Sequence, residues 1–316
     1  MRVVITGALG HIGSALIRQL PAACPGIEIV MVDNLATDRY ASLFDLPPAG
    51  RYEFVEADIL DADLARVFAG ADAVIHLAAV THGSGAEAER RMERVNLAGT
   101  ARVARACLAA NAALFFPSTT SVYGVHGVVT EQCPVSELRP QSRYAEWKLQ
   151  SEAELHALAQ SDGLRMVIFR MGSIFGPSVG MRFHTAVNQF CWRAQAGRPI
   201  EVWQTASHQF RPYLDLRDAV RALLFVLSRR QFDGRIYNVL TLNATVSHVI
   251  DVLSMFAPGL RITYVDSPLM NTLSYCADNG RFTRLGFEFS GSLARGIHET
   301  IAMLRAAPRR DHARTG

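Results

Sequence analysis

The sequence predicts an α/β fold: a doubly wound parallel sheet with a smaller α/β lobe toward the C-terminus. Three observations predict it. Short β-branched apolar runs recur along the first 172 residues with helical stretches between most of them, the first run ends in a glycine-rich turn, and past about residue 172 this rhythm breaks. Runs that are apolar throughout belong to strands buried on both faces, and helical connections set such strands parallel.

The elements follow in order. Val3-Val4-Ile5 is a buried strand, and Ile12, Ala15, Leu16, Gln19 and Leu20 continue at helical spacing. Further strands fall at residues 27–32, 52–55, 73–77, 114–116 and 166–169, and helical stretches separate most of them, notably over 87–111. Beyond residue 172, Gly176-Pro177 and Gly197-Arg198-Pro199-Ile200 punctuate shorter strands, and one more sheet unit appears around 219–239. The expected organisation is a sheet domain over 1–172, joined by a strand–helix unit from about 212–240. A substrate-binding lobe is expected from 173–211 and 241–305, with a disordered basic tail over 306–316.

Composition narrows the class. With 49% hydrophobic and 19% charged residues the chain is globular. Its 32 Lys+Arg against 29 Asp+Glu leave a net charge of +3 with no basic face, which argues against a nucleic-acid partner. The 5 cysteines are scattered, without Cys-x-x-Cys or histidines at zinc spacing, so they read as reduced thiols and no metal site is expected. No apolar run reaches the roughly 18 residues of a membrane helix, and a cytoplasmic location is expected. Of the 32 cations only one is lysine, Lys148.

The first turn, Thr6-Gly7-Ala8-Leu9-Gly10-His11-Ile12-Gly13, joins the first strand to the first helix. Glycines at 7, 10 and 13 allow a tight turn and a close backbone approach to a pyrophosphate, which meets the helix N-terminus. Asp33 closes the second strand about 20 residues later, where an acid accepts ribose hydroxyls. The pattern predicts a Rossmann dinucleotide site; the alternative is a tight βα turn beside a solvated Asp. Asp33 favours NAD because it would repel a 2′-phosphate; Arg39, nearby, works the other way.

Tyr144 and Lys148 lie four residues apart, on one face of a helix. For a chain with 8 Tyr in 316 residues, the chance that its single lysine falls four places after one of them is about 8/316, roughly one in forty. Thr119 stands 25 residues before Tyr144 at the end of a strand, at the carboxyl edge where ligands of α/β sheets bind.

Read in sequence, these motifs resemble the extended short-chain dehydrogenase/reductase superfamily, within it the NAD-dependent nucleotide-sugar epimerase/dehydratase family. The markers run from residue 1 to about 305. They are the glycine turn, Asp33-Asn34-Leu35, Asp58-Ile59, His76-Leu77-Ala78-Ala79, Asn96 with Gly99-Thr100, Ser118-Thr119 with Val122-Tyr123-Gly124, Tyr144 with Lys148, and Arg170 with Gly176-Pro177. The resemblance implies NAD as cofactor and a nucleotide-diphosphate sugar as substrate. It implies Thr119, Tyr144 and Lys148 as catalytic residues, Tyr144 as the base, and Lys148 as the charge that tunes the phenol and holds the nicotinamide ribose. Gly7, Gly10, His11, Ile12, Gly13, Asp33 and Asn34 would hold the cofactor. Asp58 and Ile59 would meet its adenine; Leu77, Ala78, Ala79 and Asn96 would line it, with Met171 and Gly172 beside the nicotinamide. Thr119, Ser173 and Arg211 would contact substrate, Arg211 through the diphosphate. A homodimer through residues 88–111 and 143–160 is also implied. His76 reads as a core histidine, and the polar loop 81–85 either touches the sugar or turns.

Dehydratases of the family carry Asp-Glu after the catalytic Thr, and the decarboxylases a Glu two residues after it. Here the residues are Thr120-Ser121. Hydroxylic residues there resemble the epimerases, so C4 epimerisation through a 4-keto intermediate is expected. A one-way 4-ketoreductase or dehydrogenase with exchangeable NAD(P)(H) is the alternative, a dehydratase ranks below it, and an NAD-binding regulator is the non-enzymatic reading. His11, Arg143, Trp147 and Ser173 depart from the family's usual residues.

Overall fold

Seven parallel strands, in the spatial order 236–239, 166–171, 113–119, 73–76, 2–6, 28–33 and 51–56, form the central sheet of the computed structural model, which describes residues 1–81, 83, 85–124, 127–140, 142–266 and 274–307. The strands are β1 Arg2–Thr6, β2 Glu28–Asp33, β3 Arg51–Glu56, β4 Ala73–His76, β5 Ala113–Thr119, β6 Gly127–Val129, β7 Met166–Met171, β8 Ser173–Phe175, β9 Ile200–Trp203, β10 Phe210–Asp215, β11 Ile236–Val239, β12 Leu242–Thr245, β13 Ile262–Val265 and β14 Tyr275–Ala277. The helices are α1 His11–Ala23, α2 Leu64–Val67, α3 Ala86–Glu93, α4 Thr100–Ala109, α5 Arg143–Asp162, α6 Ala186–Gln195, α7 Leu216–Arg229, α8 Val246–Phe256, α9 Gly280–Thr283 and α10 Leu293–Ala306. The expected doubly wound α/β class is what forms.

The apolar runs serve two cores at once. Val3 and Ile5 of β1 pack with Leu16 and Leu20 of α1 and with Val220 and Leu223 of α7, whereas Val4 faces Val30, Val103, Cys107 and Phe116 on the other side. A third core, with Phe175, Phe190, Leu253 and Ile297, lies under the small sheets β12-β10-β8 and β13-β9. The segment after residue 210 is shared between them: β10 pairs with β8 and β12, α7 packs on the α1 side of the large sheet, and β11 pairs with β7 at its edge.

One element differs from the sequence reading. The stretch over 87–111 is not one regular helix: a π-helical turn, Arg94–Gly99, separates α3 from α4. Asn96 lies in that turn, and its amide is bonded twice to Val80, accepting from the backbone N–H at 2.9 Å and donating to the carbonyl at 2.6 Å. Such π-helical turns inside helices are frequent at functional sites. Of the basic tail, residues 308–316 lie outside the described residues, as do His82 and Ser84 of the loop 81–85.

Candidate active site

The strands β2, β1, β4, β5 and β7 are neighbours in the sheet, and a cavity of about 560 Å³ runs along their carboxyl ends. At β1 the chain turns through Gly7 at φ +67°, so close to β4's exit that a Cβ there would sit 2.5 Å from the Ala78 nitrogen. No other residue fits that position without moving backbone. Asp33, at the tip of β2, accepts from the Leu9 N–H at 3.1 Å and from the Leu35 N–H at 3.0 Å, so its carboxylate braces the turn. Asn34 donates to Asp58 at 2.8 Å, joining the ends of β2 and β3.

The β5–β7 side carries the groups that the sequence marks as candidates for the chemistry. Ser142 caps α5 by accepting from the Ala145 N–H at 3.2 Å, which starts the helix at Arg143 and places Tyr144 in its first turn. Tyr144, Lys148 and Glu152 then follow at i, i+4 and i+8. Lys148 is 1% exposed, its ammonium 4.3 Å over the Phe116 ring centroid and 5.8 Å from that of Tyr144. Burial pushes this lysine down to about 7 despite the pull of Glu152, and pushes the Tyr144 phenol up to about 12 against the nearby Arg182 charge. Glu152 is held by Arg170 of β7 and by the Ser118 hydroxyl of β5. Ser118 pairs with Arg170 in the sheet and Thr119 with Met171, so the same register that anchors α5 sets Thr119 beside the β7 exit. Thr119 accepts from the Ser121 N–H at 3.1 Å.

Of the residues expected from sequence, Gly7, Gly10, His11, Ile12, Gly13, Asp33, Asn34, Asp58, Ile59, Leu77, Ala78, Ala79, Thr119, Tyr144, Lys148, Met171, Gly172 and Ser173 all line the cavity. Asn96 does not; its amide is engaged by Val80. Arg211 also lies outside the lining, on β10, donating to Gln209 at 2.9 Å with its guanidinium 5.7 Å from the Tyr275 ring centroid. His76 is a core histidine, Nδ1 at 2.7 Å from Thr6 and Nε2 at 3.1 Å from Thr100. Lining residues absent from the sequence reading include Thr81 as a defined contact, Arg91, Arg182, His184 and Thr185. Arg182 donates to Thr81 at 2.7 Å, and His184 lies 3.2 Å from the same hydroxyl. A cation and a histidine soon after Gly176-Pro177 were the available signal, with no spacing rule to interpret them. Among the described residues no cluster of acids, histidines and cysteines is placed to hold a metal ion.

The model of the NAD dependent epimerase/dehydratase family matches residues 3–239. Over 318 residues the chain is 32% identical to a dTDP-glucose 4,6-dehydratase of Streptomyces griseus, covering 95% of this chain and 93% of that one. Over 249 residues it is 29% identical to an uncharacterized UDP-glucose epimerase of Bacillus subtilis (strain 168), 76% of each. Among solved structures, the dTDP-glucose 4,6-dehydratase DesIV of Streptomyces venezuelae, with NAD bound, is similar at a TM-score of 0.84 and 28% identity, covering 97% of this chain and 98% of that one. The resemblance read from the motifs is borne out, and the cofactor is NAD. The cavity fits it: the Gly7 cradle that a Cβ would fill, the α1 N-terminus, and the Asp33 carboxylate match a dinucleotide's turn, pyrophosphate and ribose. This chain belongs to the NAD-dependent epimerase/dehydratase family.

Proposed function

We propose that the chain interconverts two nucleotide-diphosphate sugars that differ in configuration at C4. The observation that carries this reading is the cavity wall: among the described lining residues the carboxylates are Asp33 and Asp58, and both stand at the β2–β3 end, away from Tyr144. Eliminating water from a sugar needs a further acid and base beside the group that handles the C4 hydroxyl. The residues after Thr119 are hydroxylic and engaged. The Thr120 hydroxyl contacts the Met171 carbonyl at 3.4 Å and accepts from Tyr275 at 3.2 Å, while Ser121 donates its N–H to Thr119.

NAD, held by the Gly7 turn, the α1 N-terminus and Asp33, would supply an acceptor for the C4 hydride and a donor for its return. Tyr144 takes the proton of the C4 hydroxyl and gives it back. Its phenol, raised by burial, needs the Lys148 ammonium on the same helix face to become a base at neutral pH. Thr119, whose oxygen already accepts the Ser121 N–H, keeps its own proton for the sugar oxygen. Ser173 takes part in sugar binding, Arg211 in diphosphate binding, and Asn96 serves the cofactor by holding Val80.

The proposal includes a substrate-binding lobe around the small sheets, a homodimer through residues 88–111 and 143–160, and a cytoplasmic location, which the 5 free cysteines support. No described helix is long and apolar enough to cross a membrane.

A panel of nucleotide-sugars followed by NMR tests the reading. An interconverting C4 pair is expected, with no net change in the nicotinamide. Net nicotinamide consumption would replace it with a ketoreductase or dehydrogenase. A keto product short of one water would select the dehydratase reading, which the 32% identity to the Streptomyces griseus enzyme favours.

A further inference from the structure

The connection between β8 and α6, residues 176–185, crosses the glycine turn and is pinned to it. Ser178 Oγ lies 2.8 Å from His11 Nδ1, and the Gly180 N–H donates to Ser14 Oγ at 3.0 Å. Gly180 approaches so closely that a Cβ on it would sit 2.3 Å from the Leu9 carbonyl oxygen and 2.6 Å from that of Gly10. Two residues beyond this anchor, Arg182 joins the cavity lining. Its Nη1 donates to Thr81, and its Nε is buried without a partner among the described residues. His11 opens the 13-residue helix α1, is 6% exposed and lines the same cavity. Its Nε2 is also buried and unpartnered among the described residues. Thr185, also in the lining, has a third such atom, its Oγ1. Buried polar atoms left unpaired are rare and costly, so three on residues that line one cavity point to a ligand that pairs them.

We propose that residues 176–185 form a built-in cover over the glycine turn, and that Arg182 from the cover and the His11 side chain bind the cofactor's diphosphate together with the α1 N-terminus.

The ligand must be an anion. Burial and the charges of Arg182, Arg39 and His184 push the His11 imidazole down to about 3, so it is neutral. When its Nδ1 accepts the Ser178 hydroxyl proton, the ring's own proton sits on Nε2, a donor. Arg182 pays a burial penalty and faces Arg39, a like charge. A diphosphate relieves both costs and accepts from both donors, whereas sugar hydroxyls leave the two guanidinium charges uncompensated. The cofactor is favoured over the substrate as the source because the cover's anchors touch Leu9, Gly10, His11 and Ser14, all in the turn or the first turn of α1. A cover fastened there must open before the dinucleotide leaves.

The test reads cofactor binding, so it does not depend on the C4 chemistry. Full-length wild type, Arg182→Met, Arg182→Lys and Ser178→Ala are stripped of nicotinamide. NAD affinity is then measured by calorimetry and NAD release by stopped-flow fluorescence, with apo melting curves as the folding control. Arg182→Met is expected to weaken NAD binding about 10- to 100-fold, the span of one charge-assisted hydrogen bond. Arg182→Lys should fall between, and Ser178→Ala should speed release several-fold. Unchanged NAD affinity in Arg182→Met overturns the proposal, and a raised KM for the nucleotide-sugar in that variant would then assign the guanidinium to the substrate. Should Arg182→Met fail to fold, Ser178→Ala decides: wild-type release overturns the cover.

Discussion

Glu152 and Arg170 form an ion pair inside the protein, Arg170 Nη2 donating to Glu152 Oε2 at 2.6 Å with both side chains 3% exposed. Arg170 also lies 4.8 Å from the Tyr123 ring centroid, and Tyr123 donates to Asn238 at 2.7 Å. The pair therefore joins α5, β5, β7 and β11, and it stands one helical turn from Lys148. Removing one member strands the other charge in a dry interior. Arg170→Met should cost about 3–5 kcal/mol of stability by urea unfolding, and a loss below about 1 kcal/mol would show that water reaches the pair.

Activity should follow the Tyr144–Lys148 pair. With Lys148 lowered to about 7, the pair loses its first proton near neutrality, and one proton then serves two basic sites. Below that pH both are filled and neither accepts a proton from the substrate hydroxyl of the proposed reaction, so kcat/KM should rise with pH through about 7. Lys148→Arg keeps a charge but not this titration. Its profile should lose the rise and its rate fall about 10²- to 10⁴-fold, as should the rate of Tyr144→Phe. A Lys148→Arg enzyme with the wild-type profile would remove lysine from the mechanism.

Acid should destabilise the NAD-free protein before its carboxylates titrate. His11 and His76 have an ordinary value of 6.5 and are held at about 3 in the fold, both chiefly by burial. Between those values the unfolded chain binds protons that the folded chain refuses, so stability falls as pH drops through 6.5 toward 3. The slope is about 1.4 kcal/mol per pH unit for each histidine. Urea midpoints at a series of pH values measure it; midpoints flat from pH 7 to 4 would contradict the buried neutral rings.

Asn96 acts through Val80. Asn96→Ala removes both amide bonds to that backbone and leaves its polar groups to find other partners, a loss of about 1–3 kcal/mol. Because residues 77–80 line the cavity, NAD affinity should fall with stability. Asn96→Asp retains the acceptor for the Val80 N–H and should recover part of both. Wild-type NAD binding by calorimetry in Asn96→Ala would separate the tie from the cofactor.

What the sequence determined by itself is local in origin. The apolar runs at 3–5 and 166–169 mark strands because their side chains must leave water on both faces of a sheet. Gly7 marks the turn because its conformation excludes a Cβ, and Tyr144 and Lys148 share a face because of helix pitch. Tertiary structure alone decided the rest. The pairing of β14 with β6 joins segments some 150 residues apart. The Asn96 tie depends on where β4's exit loop lies, and Arg211 keeps to β10, clear of the lining. Arg182 enters the cavity because Gly180 is seated against Leu9 and Gly10, a contact with no periodicity along the chain. Long-range charge placement follows from how the loops pack, and the lone lysine became legible only because helix pitch tied it to a tyrosine four residues away.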